Sequence, residues 1–282
     1  MMRGGLGRRR GPDTPDVLEG IARFGYGARG FVYASVGVLT LLAAMRLQAD
    51  PVGTRGAAGW LAEQPLGRVW LVLLGAGLWA FVVWRGLQAV FDADREGTSL
   101  RAWLVRAGQA ISGMFYGVLA AGVFELLDEI EPRMAAEDVA ENQQKAAMIL
   151  ALPFGDMLLV TLGLVIGAVG VSNIVRGVSA DFGQTLACSE RLCRRFSLMA
   201  RTGYVARGVA YLPLAVLVTL AGWHARSSEV GDFGSSLDAL RQQPGGPVML
   251  GATAIGLILF GAFAFVEARY RKIRPPRTLK AV

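Results

Sequence analysis

Residues 22–33 read Ala-Arg-Phe-Gly-Tyr-Gly-Ala-Arg-Gly-Phe-Val-Tyr, and this stretch returns twice in the chain of 282 residues. Residues 200–211 repeat it with eight of twelve positions identical. Residues 105–116 repeat it more faintly, with four positions common to all three copies. Each copy opens an apolar run, so the stretch divides the chain into three units.

A second apolar run follows in each unit and begins at a proline, Pro65, Pro153 or Pro244. From these prolines the three units align without gaps for at least 23 residues. One equivalent position is occupied by Gln88, Arg176 and Glu267. Each unit is therefore expected to be a two-helix repeat. An even number of spans gives all three repeats the same orientation in a membrane, which implies a pseudo-threefold axis along the membrane normal.

The composition places the chain in the membrane class. Hydrophobic residues make up 53% of the chain and charged residues 18%, and the mean hydropathy is +0.43, which is too apolar for a soluble domain of this length. The expected fold is all-α, a six-transmembrane-helix bundle. The expected spans are residues 28–47, 65–91, 107–127, 153–178, 205–223 and 248–270. The expected organisation is a disordered basic tail at 1–20, repeat 1 at 21–92, repeat 2 at 93–180, repeat 3 at 181–272 and a basic tail at 273–282.

The distribution of Lys and Arg predicts the orientation. Loops and tails on one side, 1–29, 92–106, 179–207 and 269–282, contain 20 of these residues, whereas the opposite loops contain 7. By the positive-inside rule, both termini face the cytoplasm of a bacterial cell. The net charge of +7 follows from this topology, so no nucleic-acid partner is expected. The first apolar run resembles a signal peptide, but its near-duplicate at 200–223 cannot be one, which predicts a retained helix.

Two local features are predicted inside this frame. The second half of the acidic segment 128–152 reads as a surface helix, and short amphipathic stretches at 57–64 and 235–243 precede the second span of repeats 1 and 3. Pro213 removes one backbone hydrogen bond from the fifth span and should kink it.

The pattern resembles a bacterial membrane-protein family catalogued as domain of unknown function 1206. The residues that carry the resemblance are Gly25-Tyr26 with Ala28-Arg29-Gly30, Gly203-Tyr204 with Ala206-Arg207-Gly208, and the segment Leu-Ala-Glu-Gln-Pro-Leu-Gly-Arg at 61–68. The resemblance covers about residues 20–272 and implies six helices in three such repeats, with no activity attached. The middle copy departs from the pattern, with Gln109 and Ser112 in place of Tyr and Arg.

The repeated stretch offers one set of candidate binding residues. At about 100° per residue, Arg23, Tyr26 and Tyr33 share one helix face, and the same stripe recurs in the other two copies. One interpretation is structural, with tyrosines at the headgroup level and arginines anchoring the helix ends. The other is that the arginines converge and bind an anion such as a phospholipid headgroup. The candidate residues are Arg23, Tyr26, Arg29, Arg106, Gln109, Arg201, Tyr204 and Arg207.

Polar residues inside the apolar runs give a second set, because a charge in lipid is costly unless it finds a partner or water. Asn173, Arg176 and Glu267 are the candidates for a polar path or for an ion pair between Arg176 and Glu267. The alternative is that such residues lie at the interface, where long side chains reach water. Gly163 with Gly167 gives small-residue spacing suited to helix packing inside the bundle.

Catalysis and metal binding find little support. Residues 25–30 match the dinucleotide fingerprint G-x-G-x-x-G, but no strand precedes them. His224 is the only histidine, and Cys188 with Cys193 supply too few ligands for a zinc site. Both cysteines lie on the predicted reducing side and are expected to be free thiols. No enzyme, cofactor or metal is therefore expected.

Three functions remain open from the sequence. The first is a non-catalytic structural or anionic-lipid-binding protein, with membrane lipids as its partners. The second is a transporter or channel for a small solute or ion along or beside the pseudo-threefold axis. The third is an accessory subunit of a membrane complex.

Overall fold

The computed structural model describes residues 14–47, 50–128 and 135–273. Its α-helices are α1 (Thr14–Ala44), α2 (Thr54–Ala62), α3 (Gly67–Phe91), α4 (Leu100–Asp128), α5 (Ala135–Leu150), α6 (Gly155–Ser179), α7 (Glu190–Trp223), α8 (Phe233–Arg241) and α9 (Gly246–Tyr270). Six of them, α1, α3, α4, α6, α7 and α9, are long and apolar enough to cross a membrane. The all-α, six-span fold is therefore confirmed.

The first helices of the repeats begin earlier than predicted. α1 begins at Thr14, α4 at Leu100 and α7 at Glu190, so their polar first turns extend beyond the apolar runs. Residues 14–20 are helical, which corrects the prediction of a disordered tail over 1–20. Residues 1–13 and 274–282 lie outside the described part of the chain.

The six spanning helices are neighbours in chain order. Repeat 1 comprises α1 to α3, repeat 2 α4 to α6, and repeat 3 α7 to α9. The spanning helices pack as α1 on α3, α3 on α4, α6 on α7, α7 on α9, and α9 back onto α1. These contacts place the three repeats side by side, with repeat 3 packed against repeat 1. The exception is α4 and α6 of repeat 2, which are not packed against each other.

Each repeat carries a shorter helix between its two spans. α2 and α8 are the predicted amphipathic stretches, and each buries one face, with Leu61 and Leu237 among the buried side chains. α5 confirms the surface helix predicted in the second half of 128–152. The acidic residues Glu129 and Glu131 of that segment lie outside the described residues.

A Pro-x-Gly turn begins the second spanning helix of every repeat. The middle residue is Leu66, Phe154 or Gly245, and each has a left-handed backbone with φ of 63°, 61° and 75°. The glycine that follows cannot be replaced without movement, because a Cβ atom on Gly67 would lie 2.0 Å from the Ala62 carbonyl oxygen. The turn thus fixes where α3, α6 and α9 begin.

Pro213 lies inside α7, and a side chain of α8 takes part in the hydrogen bonds around it. The backbone N–H of Leu214 donates to Oγ of the buried Ser236 (3.1 Å), and that hydroxyl donates to the carbonyl oxygen of Ala210 (2.5 Å). A side chain of α8 is thereby inserted into the backbone ladder of α7, one of the recognised causes of a helix kink.

The prediction of free thiols is wrong for this structure. Cys188 and Cys193 form a disulfide, with their Cα atoms 5.7 Å apart. Cys188 lies just before Ser189, the N-cap of α7, and Cys193 lies in the first turns of that helix. The helix start therefore brings two residues that are five apart in sequence within bridging distance.

Candidate functional site

Aromatic side chains fill the centre of the bundle in repeats 1 and 3. The ring of Phe81 packs edge-on against Tyr26 of its own repeat (5.3 Å between centroids) and Tyr116 of the next (4.7 Å). Phe260 makes the equivalent contacts with Tyr204 (5.0 Å) and Tyr33 (4.8 Å). These rings seal the contact between the two spans of each of these repeats.

Repeat 2 lacks the same rings. In the gapless alignment of the second spans, the position of Phe81 and Phe260 is occupied by Val169, and the position of Trp84 by Ser172. In the first spans, Gln109 replaces the tyrosine. All three replacements are smaller, so the side chains that would join α4 to α6 are missing.

A cleft of about 1620 Å³ lies where these rings are missing. Gln109 and Ser112 of α4 line one wall, and Val169 and Ser172 of α6 line the other. Exposed apolar side chains edge it, including Phe115 on α4. The cleft is therefore a side opening in the ring of helices, bordered by surface suited to lipid.

A buried ion pair lies at the contact between repeats 3 and 1. Nη2 of Arg29 donates to Oε2 of Glu267 (2.5 Å), and the two side chains are 1% and 3% exposed. Glu267 also pairs with Arg271, which reaches Asp94 (3.1 Å). Burial acts to lower the pKa of Arg271, but Tyr26 and the two carboxylates outweigh it, so the pKa is raised. Two arginines and two carboxylates are thus joined in one group.

Arg207 is the counterpart of Arg29 in repeat 3, and its surroundings differ. Its guanidinium lies over the rings of Tyr33 and Phe260, 4.9 Å from each centroid. It donates to Asn173 (3.5 Å) and to the Tyr211 hydroxyl (3.4 Å), both long for hydrogen bonds. It forms no ion pair with a carboxylate in the described ranges, and its Nε has no partner there. Arg207 is only 9% exposed and lines the cleft.

Two further arginines line the cleft. The guanidinium of Arg176 lies over the Tyr204 ring (5.2 Å) and is exposed. Arg85 lies over Phe81 (4.9 Å) and donates to Gln88 (3.1 Å). The predicted ion pair between Arg176 and Glu267 is not formed, because Glu267 is taken by the two closer cations Arg29 and Arg271.

The arginines at the start of the repeated stretch do not converge on one site. Arg23 donates to the carbonyl oxygens of Ala268 and Arg269 at the end of α9 (2.7 Å each). Arg106 donates to those of Ala89 and Val90 at the end of α3 (2.7 and 2.8 Å). Each caps the free carbonyls of a neighbouring repeat, where a cation is favoured. The structural interpretation fits these two residues.

The remaining candidates lie inside the bundle or on its surface. Tyr26 is fully buried inside the bundle and accepts a hydrogen bond from Nε1 of Trp84 (3.2 Å). Tyr204 is buried against Phe260. Gln109 is buried and donates to Asp94 (3.2 Å). Arg201 is exposed at the end of the bundle that carries the basic loops.

Sequence reasoning missed part of the lining. Tyr33, Tyr116 and Tyr211 face the cleft, yet their conserved place in the three copies suggested only a shared helix face. The signal that could have found the cleft was the loss of aromatic residues at Val169 and Ser172. This loss of aromatic residues points to a cleft only when it is known which helices pack against each other.

No group of three or more His, Cys, Asp or Glu side chains able to hold a metal ion occurs within 14–47, 50–128 and 135–273. The site is therefore built from arginine, tyrosine and amide side chains, whose chemistry suits recognition of an anion.

The fold and the cleft define a multi-span membrane protein of three helical repeats. The family described as Domain of Unknown Function (DUF1206) matches residues 24–92, 107–180 and 202–271, and the chain belongs to this family. The three matched segments are the three repeats. The chain is also 26% identical over 263 residues to the uncharacterized protein YxxB of Bacillus subtilis strain 168, covering 92% of this chain and 93% of that protein. No solved structure matches the chain.

Proposed function

We propose that this protein binds an anionic phospholipid in the cleft between α4 and α6, without catalysing a reaction. The observation that carries the proposal is the side opening itself, which combines apolar edges with the guanidinium groups of Arg85, Arg176 and Arg207. A lipid matches both parts, because its chains cover apolar surface and its headgroup supplies negative charge.

The position of Arg207 along α7 supports a binding site in which the lipid headgroup lies deeper than the membrane interface. Arg207 lies six residues along α7 from Arg201, about 9 Å at the helical rise. A guanidinium at that depth needs a partner or water, and its hydrogen bonds to Asn173 and Tyr211 are long. A phosphate held in the cleft would be that partner.

The test is a change that fills the cleft and leaves its charges alone. Val169→Phe with Ser172→Trp installs the side chains that repeat 1 has at Phe81 and Trp84. Native mass spectrometry then compares phosphatidylglycerol retained by the variant and by the wild-type protein. We expect the wild type to retain phosphatidylglycerol over phosphatidylcholine and the filled variant to lose that preference.

Val171→Phe is the matched control, since Val171 is exposed on the same helix and does not line the cleft. It should leave retention unchanged. Equal retention by the filled variant and the wild type would contradict the proposal.

A second function, movement of an anion or lipid across the membrane, is favoured by one observation. The lining extends from Asp94 and Lys272 near the basic loops to Glu125 and Asp232 near the opposite loops. The test follows fluorescent phosphatidylglycerol in liposomes that contain the protein. Transport predicts transbilayer exchange that the filled variant abolishes, whereas retention without exchange leaves binding as the function.

A further inference from the structure

Pseudo-threefold equivalence allows the same pair of positions to be compared at the three contacts between repeats. One position is on the first span (Arg29, Ser112 or Arg207), and the other is on the second span of the preceding repeat (Glu267, Gln88 or Arg176). The pair between repeats 3 and 1 is Arg29 with Glu267, and its charges cancel. The pair between repeats 1 and 2 is neutral. The pair between repeats 2 and 3 is Arg207 with Arg176, which leaves two positive charges and no acid.

The pair with the excess charge is also the one that faces the cleft. Arg207 and Arg176 both line it, whereas Glu267 does not. Arg29 and Arg207 share the same aromatic neighbour, since the Phe260 ring lies 4.9 Å from each guanidinium carbon. Their other ring contacts differ, since Arg29 lies over Tyr26 and Phe81. Arg207 lies over Tyr33 and Tyr211 and, within the described residues, has no carboxylate partner like the Glu267 of Arg29.

The acidic side chains that line the cleft do not make up this deficit. Asp94 is held by Arg271 (3.1 Å) and by Gln88 (2.6 Å). Glu125 pairs with Arg55 (2.6 Å) at the other end of the cleft. Asp232 accepts from the backbone N–H of Ser235 at the start of α8 (2.7 Å), and Glu96 lies in an exposed loop. Among the described residues, none of these four carboxylates is bonded to Arg207 or Arg176.

We infer that Arg207 and Arg176 form a subsite for the phosphate of a lipid headgroup, which takes the place that the Glu267 carboxylate occupies beside Arg29. The inference rests on the proposed function and names the part of the cleft that recognises charge. Arginine suits this role because its planar N–H groups can bind two phosphate oxygens together. Asn173 and Tyr211, which Arg207 contacts at 3.5 and 3.4 Å, line the same part of the cleft.

The experiment uses the full chain in detergent with phosphatidylglycerol as the probe, and it compares three single variants. Arg207→Gln removes the deeper cation. Arg176→Glu places a carboxylate next to Arg207, at the position equivalent to that of Glu267 beside Arg29. Arg201→Gln removes an exposed arginine of the same helix as Arg207 and is the control.

We expect Arg207→Gln to weaken phosphatidylglycerol binding by roughly tenfold to a hundredfold, the loss typical of one charged hydrogen bond. Arg176→Glu should abolish the preference for phosphatidylglycerol and raise the melting temperature of the lipid-free protein, since it pairs Arg207. Arg201→Gln should change neither quantity. The melting temperature also shows that each variant is folded.

Two results would overturn the subsite. If Arg207→Gln and Arg176→Glu bind phosphatidylglycerol as the wild type does, while the filled variant Val169→Phe with Ser172→Trp does not, the cleft binds lipid but the subsite is wrong. If inorganic phosphate binds in an Arg207-dependent way and phosphatidylglycerol does not, the ligand is a free anion. If the wild-type protein binds neither phosphatidylglycerol nor inorganic phosphate, the proposed function itself is wrong.

Discussion

Glu267 is the residue on which the charged centre of the bundle depends. Its carboxylate is 3% exposed and pairs with both Arg29 and Arg271. Removing one member of a buried ion pair leaves the other charge without compensation. Glu267→Gln should therefore lower the free energy of unfolding by about 3–5 kcal/mol, measured by denaturant titration in detergent. Glu96→Gln, in an exposed loop, should change it little. An equal effect of both changes would contradict this account.

The Pro-x-Gly turns make a second prediction about single residues. Leu66 has a left-handed backbone, which costs a residue with a Cβ atom about 1–2 kcal/mol. Leu66→Gly should therefore leave thermal stability unchanged or raise it. Gly67→Ala should lower it, because the added Cβ would meet the Ala62 carbonyl.

Gly86→Ala is the control for both turn variants, since a Cβ there meets nothing within 4 Å and alanine favours the helix. It should be neutral or stabilising. A destabilising Leu66→Gly together with a harmless Gly67→Ala would show that the turn is not built as described.

The link between α7 and α8 is the clearest feature at the scale of elements. The Ser236 hydroxyl bridges Leu214 and Ala210 where Pro213 interrupts α7. Ser236→Ala should destabilise the protein by about 1–3 kcal/mol, because it leaves buried backbone groups unpaired.

A double-mutant cycle tests the reason for that loss. In a Pro213→Ala background the helix can restore its own hydrogen bonds, so Ser236→Ala should cost less there than in the wild type. Thermal unfolding of the four proteins gives the coupling. Strictly additive losses would mean that the serine does not compensate for the backbone hydrogen bond that Pro213 removes.

The elements differ in how far they could be predicted from the sequence. The six spans and the surface helix α5 followed from apolar runs and repeats, which are local signals. The helical turns of α1 before residue 28 could not be predicted in this way, because the polar residues there give no apolar pattern. The ion-pair partner of Glu267 was predicted wrongly as Arg176, because both residues occupy the same repeat position. The actual partners, Arg29 and Arg271, depend on which repeats pack together in three dimensions.

At the scale of the whole molecule, the orientation of the protein in the membrane determines which leaflet supplies the lipid. The basic loops are expected in the cytoplasm, which would place Arg176 and Arg207 nearer the inner leaflet. Single cysteines at Glu96→Cys and Arg226→Cys, in a Cys188→Ser, Cys193→Ser background, report the two ends. An impermeant maleimide added to intact cells should label only the Arg226→Cys protein. Labelling of Glu96→Cys alone would reverse the orientation.

The central claim is that anionic lipid occupies the gap left by the middle repeat. Photocrosslinking with a phosphatidylglycerol that carries a diazirine near its headgroup tests this claim most directly, with the modified peptides read by mass spectrometry. The account predicts that crosslinks concentrate on the facing walls of α4 and α6, around Gln109 and Ser172. Crosslinks spread evenly over the outer faces of α1, α3 and α9, with none in the gap, would contradict it.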